Sequence, residues 1–202
     1  MKKLPLSPEV LLMGDPHLFN KQPWVASEDI SHSIFQHNVD VLLNSQKRCT
    51  GVGLAAPQIG WAARIMTIGI EKKNPRYPWA GTSPLEIWIN PELVSTSKET
   101  SWVWEGCLSV PGFRGWVERP ASVRVKGLNR DGQPVEKELK GFMARVFQHE
   151  MDHLDGVLFP LRVISPRHIV PMGSFENQSG WPDNWPTPGA HQTRPGEVSS
   201  QP

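Results

Sequence analysis

The chain reads as an α+β fold: mostly antiparallel β-sheets packed around a central helix bearing a His-Glu-x-x-His string, with another helix near the N-terminus. Three features lead there. Phe142, Met143, Val146 and Phe147 recur at helical spacing, and Gly156 follows where helix C-terminal glycines gather. Residues 122–128 alternate Val123, Val125 and Gly127 against Arg124 and Lys126; Asn129-Arg130-Asp131-Gly132 is a turn signal, and 135–139 is the returning strand of a hairpin. Strands and helices do not alternate as regular βαβ units, which argues against a parallel sheet.

Taken in order, residues 1–20 form an irregular arm punctuated by Pro5, Pro8, Gly14 and Asp15-Pro16. A helix starts near Ser27, a suitable N-cap, with Glu28 and Asp29 in its electropositive first turn. Ile30, Ile34, Phe35, Val41, Leu42 and Leu43 give its apolar face. Lys47 and Arg48 suit its last turn and Gly51 its exit. Short strands follow at 64–70, rich in β-branched residues, and at 86–94, where Pro91 breaks the run. The central helix covers about 141–154. Beyond Ile164 the composition shifts. Residues 172–202 hold five prolines, four glycines and four serines, with Trp181 and Trp185 as large apolar exceptions. This predicts one domain over 1–165 and a Pro/Gly/Ser-rich tail over 166–202, favoured as a mobile extension rather than an anchored one.

A chain of 202 residues is long enough for one domain with a sizeable core. Its formal net charge of +1 gives no reason to expect a nucleic-acid or membrane-surface partner. No apolar run approaches the ~18–20 residues needed to span a bilayer. Met1-Lys2-Lys3-Leu4-Pro5 lacks the apolar stretch of a secretory signal, so a cytoplasmic location is expected. The two cysteines, Cys49 and Cys107, are too few for a disulfide scaffold, and Cys49 reads as an incidental thiol.

Gln148-His149-Glu150-Met151-Asp152-His153 carries the chemistry. Helical residues four apart lie one turn above each other, so His149 and His153 can grip one metal ion. Glu150 can then reach a water at that metal without ligating it. Two histidines leave a catalytic site one protein ligand short. The HExxHxxGxxH pattern would put the third ligand at Phe159, which cannot ligate. A downstream glutamate, as in other zincins, would be Glu176, which sits beside the tail. Cys107, in Glu105-Gly106-Cys107-Leu108-Ser109, is the better candidate: its thiolate is soft and anionic, and Gly106 lets backbone approach closely. Such a donor set suits Zn²⁺ and tolerates Fe²⁺, Ni²⁺ or Co²⁺. The small-residue loop 51–58 ends in Gln58, whose side-chain N–H can stabilise an oxyanion.

Gly51–Gln58, Glu105–Ser109 and Gln148–His153 together resemble the three signatures of peptide deformylase, GΦGΦAAxQ, EGCLS and QHExDH with Φ apolar, in order and with no departure at a catalytic position. The resemblance spans roughly residues 8–165. It implies a hydrolase that removes the formyl group from formylmethionine at the start of nascent polypeptides, with Fe²⁺ as the working ion. It implies Cys107, His149 and His153 as metal ligands, Glu150 as the catalytic carboxylate, and the Gln58 side chain and Leu108 backbone N–H as oxyanion donors. The peptide would add as a β-strand near Val52, Gly53 and Gly106. The methionine pocket would comprise Val52, Val103, Phe142, Val146 and His149, and Arg114 would hold the peptide downstream. Arg119 resembles a basic position that can pair with Asp152. Formyl-peptides are the implied partner and the ribosome a further one. Yet 172–202 looks unlike the C-terminal helix by which some members dock there. A zincin-type endopeptidase is the alternative reading.

Overall fold

The computed structural model describes residues 1–188, and within them every strand pairing is antiparallel. In chain order the elements are α1 (Ser27–Ile30), α2 (Ser33–Arg48), β1 (Gly53–Ala55), β2 (Ile65–Ile70), β3 (Ser83–Thr96), β4 (Thr100–Cys107), β5 (Val110–Pro120), β6 (Ser122–Leu128), β7 (Pro134–Lys140), α3 (Gly141–Leu154), β8 (Ile169–Pro171) and α4 (Met172–Phe175). A five-stranded sheet runs β1-β2-β3-β6-β7 and a three-stranded sheet runs β4-β5-β8. Helix α3 packs on strands of both sheets, against β1, β2, β5, β6 and β7. The α+β reading with a central helix therefore holds, and α3 has the bounds its sequence pattern gives.

Two local expectations need correction. The N-terminal helix does not run unbroken from Ser27. Ser27 is the first residue of the one-turn α1, whose N-cap Ala26 has no side-chain bond, and α2 restarts after an extended His32. The His32 ring accepts the Ile34 N–H at 3.4 Å, and Gln36 Nε2 donates to the Ile30 carbonyl at 2.8 Å. The interruption lets Ile30 join Phe35, Val39 and Leu42 in one apolar cluster, a tertiary gain that outweighs helix continuity. Nor does Pro91 break its strand. β3 runs through it with an irregular register between Ile89 and Glu92, and Asn90 takes φ of 52°. A bulge accommodates a residue with no N–H to give the ladder. The Asn90 amide exchanges two 2.9 Å bonds with the Val25 backbone, and Asn is among the few side chains that tolerate this conformation.

The expected mobile extension is also corrected over 172–188. β8 pairs with β5, and the following segment folds back over the three-stranded sheet. Trp181 meets Trp104 at 5.5 Å between ring centroids and Trp185 at 6.4 Å; Trp116 Nε1 donates to Thr187 Oγ1 at 3.2 Å. The two tryptophans supply the apolar area that the Pro/Gly-rich composition otherwise lacks. The remainder of the tail, 189–202, lies outside the described residues.

The core next to α3 joins Ala144, Phe147, Met151 and Leu154 to Met66, Ile68, Trp88, Val123 and Val125 from the larger sheet. Phe147 is fully buried, with its ring edge-on to Trp88 at 5.1 Å. Aromatic pairs of this geometry add about 0.5–1.5 kcal/mol beyond area burial. Phe147→Ala is expected to lower unfolding free energy by about 3–5 kcal/mol through the cavity it leaves, read as a shift in denaturant midpoint.

Candidate metal centre

Because Phe147, Met151 and Leu154 commit one face of α3 to the core, the residues between them are turned toward the smaller sheet. His149 and His153 stand one turn apart there, with ring centroids 5.1 Å apart. Cys107 ends β4 and pairs with Val110 across the turn to β5, which delivers its sulfur to the same place. Cys107 Sγ is 3.2 Å from His153 Nε2, and the ligand atoms of Cys107, His149 and His153 all lie within 4.8 Å of one another. A tetrahedral cation about 2.3 Å from sulfur and about 2.1 Å from nitrogen spaces its ligands about 3.4–3.6 Å apart, so the residues fit such an ion. One soft anionic donor with two imidazoles is also the chemistry of a three-ligand catalytic site.

Glu150 is buried beside this set, and its Oε2 has no hydrogen-bond partner among the described residues. Burial pushes its pKa up to about 7. A carboxyl group held near neutrality is suited to taking and returning a proton. Gly53 leaves the room it occupies: a Cβ at that position would stand 2.5 Å from Glu150 Oε1. His153 is pushed well below the usual imidazole range by burial, which keeps it neutral and able to donate a lone pair.

Gln58 lies on a 3-10 turn, Ala56–Ile59, with Pro57 in its first two positions. Its Oε1 accepts the Ala55 N–H at 2.9 Å, which fixes the amide orientation. Its Nε2 is consequently aimed at Ser109 Oγ, 3.1 Å away, and at Cys107 Sγ, 3.6 Å away. The Ser109 backbone N–H donates toward the same sulfur at 3.4 Å. The N-terminal arm secures both segments, with Leu11 N–H bonded to the Gln58 carbonyl at 2.8 Å and Met13 N–H to the Ser109 carbonyl at 2.7 Å.

The cleft in front of these groups is lined by Val52, Gly53, Gln58, Val103, Gly106, Cys107, Leu108, Phe142, Val146, His149 and Glu150. The structure thus brings the expected pocket and catalytic positions together. Arg114 and His153 do not line the cleft: the Arg114 guanidinium stands against Gly106, and His153 is buried. Phe159 is buried with its ring 6.5 Å from His149, and Glu176 is exposed at the end of α4, so neither takes the place of a downstream third ligand.

Sequence reasoning assigned Glu105 no role beyond its motif, and the structure makes it the hub of the site. Its Oε2 is 2.9 Å from His149 Nδ1 and accepts Arg119 Nη2 at 2.9 Å. Its Oε1 accepts Arg119 Nε and Arg145 Nη1, both at 2.6 Å. Burial disfavours its charge, but Arg119, His149 and Arg145 together hold it well below the usual carboxylate range. Arg119 goes on to Asp152 at 2.9 Å, the pairing that the sequence suggested, and Arg162 closes on Asp152 at 2.6 Å. His149 therefore has the oriented partner that metal-bound imidazoles need, whereas His153 Nδ1 has none among the described residues. Tyr77 and Trp79, which pack on Phe142, were missed because loop 71–82 carries no periodic pattern.

Glu105→Ala leaves two buried guanidinium groups short of a partner. It should cost about 3–5 kcal/mol in stability and weaken metal affinity by about 10–100-fold, measured by denaturation and chelator competition. Gly53→Ala should displace Glu150 and lower kcat by about 10²-fold while metal content is kept, as assays on the metal-loaded protein would read.

A polypeptide deformylase family model matches residues 8–168. Peptide deformylase 1 of Prochlorococcus marinus (strain MIT 9313) is 46% identical over 168 residues, covering 83% of this chain and 86% of that protein. Peptide deformylase 2 of Nostoc sp. (strain PCC 7120) is 42% identical over 168 residues, covering 82% and 92%. Among solved structures, the Met-Ala-Ser-bound class I type b peptide deformylase from Acinetobacter baumannii aligns with a TM-score of 0.73 at 36% identity, over 80% of this chain and 99% of that one. The peptide deformylase from Thermotoga maritima aligns with a TM-score of 0.68 at 33% identity, over 79% and 99%.

Proposed function

The chain belongs to the polypeptide deformylase family, and from that premise we propose which of its residues perform the hydrolysis. Deformylation of nascent polypeptides is the activity, and the family is metal-dependent. The observation that carries the residue assignment is the convergence of Cys107 Sγ and the His149 and His153 rings beside a buried Glu150.

Cys107, His149 and His153 hold the metal. When bound, it supplies Lewis acidity and lowers the pKa of water at the site toward ~7. Glu150 accepts the proton of the attacking water and later returns it to the amine nitrogen, so that formate and a free N-terminus leave. Gln58 Nε2 and the Leu108 N–H meet the negative charge that grows on the formyl oxygen. The fixed orientation of the Gln58 amide supports this role, because a donor already aimed costs no reorganisation during reaction. Val52, Val103, Phe142 and Val146 form an apolar pocket for the methionine side chain. Gly53 and Gly106 expose backbone to an added peptide strand, and Arg114 holds the peptide beyond. A formyl carbon bears only hydrogen, and a close-fitting site around it excludes the bulkier carbonyl of an internal peptide bond.

Fe²⁺ as the working ion is carried by the deformylase resemblance and not by the donor set, since one sulfur and two imidazoles suit Zn²⁺ and accept Fe²⁺, Ni²⁺ and Co²⁺. A cytoplasmic location is part of this reading because the substrate is a chain being made; no helix among the described residues is long and apolar enough to cross a membrane. A ribosome contact through a C-terminal helix finds no support in residues 166–188, where α4 spans four residues.

Oxygen-free purification with metal analysis and a formate-release assay on formyl-Met peptides tests the assignment. The intact protein should carry about one divalent ion and release formate. Cys107→Ser should lose the ion and the activity together, whereas Glu150→Gln should keep the ion and lose at least about 10²-fold in kcat. Full activity in Cys107→Ser, or cleavage of internal bonds, would overturn it in favour of an endopeptidase.

A further inference from the structure

The family match ends at residue 168, and the chain beyond it returns to the substrate cleft. β8 pairs with β5 so that Val170 faces Arg114 across the ladder. α4 follows at once and carries Phe175 back over that arginine, with the ring centroid 5.8 Å from the guanidinium carbon. On another side stands Tyr77, from the loop between β2 and β3, at 5.9 Å. Gly106 lies beneath, and a Cβ there would collide with Arg114 Nη1. Phe175 is itself held by Trp104 at 5.8 Å, and Trp104 lines the cleft and meets Trp181. No carboxylate pairs with Arg114 among the described residues, in contrast to the buried arginines behind the site.

A planar cation flanked by two π faces keeps its charge and its N–H donors while losing rotamer freedom. Groups ordered before binding cost less to engage when a peptide carbonyl or terminal carboxylate arrives. We propose that Phe175, together with Tyr77, clamps Arg114 above Gly106, making Phe175 a specificity-determining positioning residue for the peptide that follows formylmethionine. The proposal rests on the reading of Arg114 as the residue that holds the downstream peptide. It gives the post-family segment a role in substrate choice: longer peptides reach the clamped guanidinium and the shortest ones do not.

Formate release from formyl-Met-Ala and formyl-Met-Ala-Ser, measured on metal-loaded full-length protein, tests it. Phe175→Ala should raise KM for the longer peptide about three- to tenfold, with kcat and the KM of the shorter peptide held. Phe175→Tyr should restore the wild-type KM. In an Arg114→Ala background, Phe175→Ala should add nothing. Phe175→Leu keeps apolar bulk against Trp104 while removing the π face, and so separates the clamp from simple packing if the alanine variant is poorly folded. A wild-type KM in Phe175→Leu, or an undiminished effect of Phe175→Ala without Arg114, would overturn the clamp. Unchanged KM in Arg114→Ala alone would instead overturn the reading of Arg114 on which the clamp rests.

Discussion

One buried carboxylate sets the geometry of the rest. Glu105 satisfies Arg119 and Arg145 with hydrogen bonds of 2.6 Å and orients the His149 ring from 2.9 Å. Glu105 lies on β4 and these partners come from β5 and α3, so the ion cluster joins the smaller sheet to the helix that carries the histidines. An arrangement like this adds little to net stability, because desolvation offsets most of the attraction. Its value lies in direction. With each lone pair of Glu105 assigned, His149 has one way to face, and it faces Cys107. Arg119 extends the same constraint to Asp152, one turn further along α3.

The candidate site was legible in the sequence and the scaffolding behind it was much less so. His149, Glu150 and His153 announce themselves through helical spacing, and Cys107 through the need for a third ligand. α3 was readable to its bounds because its apolar period is strong and Gly156, at φ of 74°, stops it. Arg145 gave no signal, and Arg119 entered only through a resemblance that pairs it with Asp152, not with Glu105. Each lies on an element whose pattern says only that some residues face inward, and a charged residue in such a pattern reads as solvated surface. Burial of both depends on a partner distant in sequence, and single-chain periodicity carries no information about that. The break between α1 and α2 was hidden for a related reason: helix propensity favours continuity there, and the tertiary contacts of Ile30 prevail.

Composition misled most in the last described stretch. Pro and Gly content speaks to what a segment cannot do alone, forming long helices or ladders. It says nothing about whether two tryptophans find a surface. Here Trp102, Trp104 and Trp116 already form an aromatic face on the smaller sheet, with ring centroids 5.3–5.9 Å apart, and Trp181 extends it. Anchoring came from complementarity between two parts of the chain, each unremarkable when read by itself.

The N-terminal arm donates one amide to the carbonyl of Gln58 and another, two residues later, to that of Ser109. Neither Leu11 nor Met13 lines the cleft, yet together they strap the segments that carry Gln58 and Ser109. A strap with two rivets fixes the segments it joins relative to each other. The spacing between the Gln58 amide and the Cys107 sulfur is in this way tied to the opening residues of the polypeptide, far from any signature that a reader of motifs would consult.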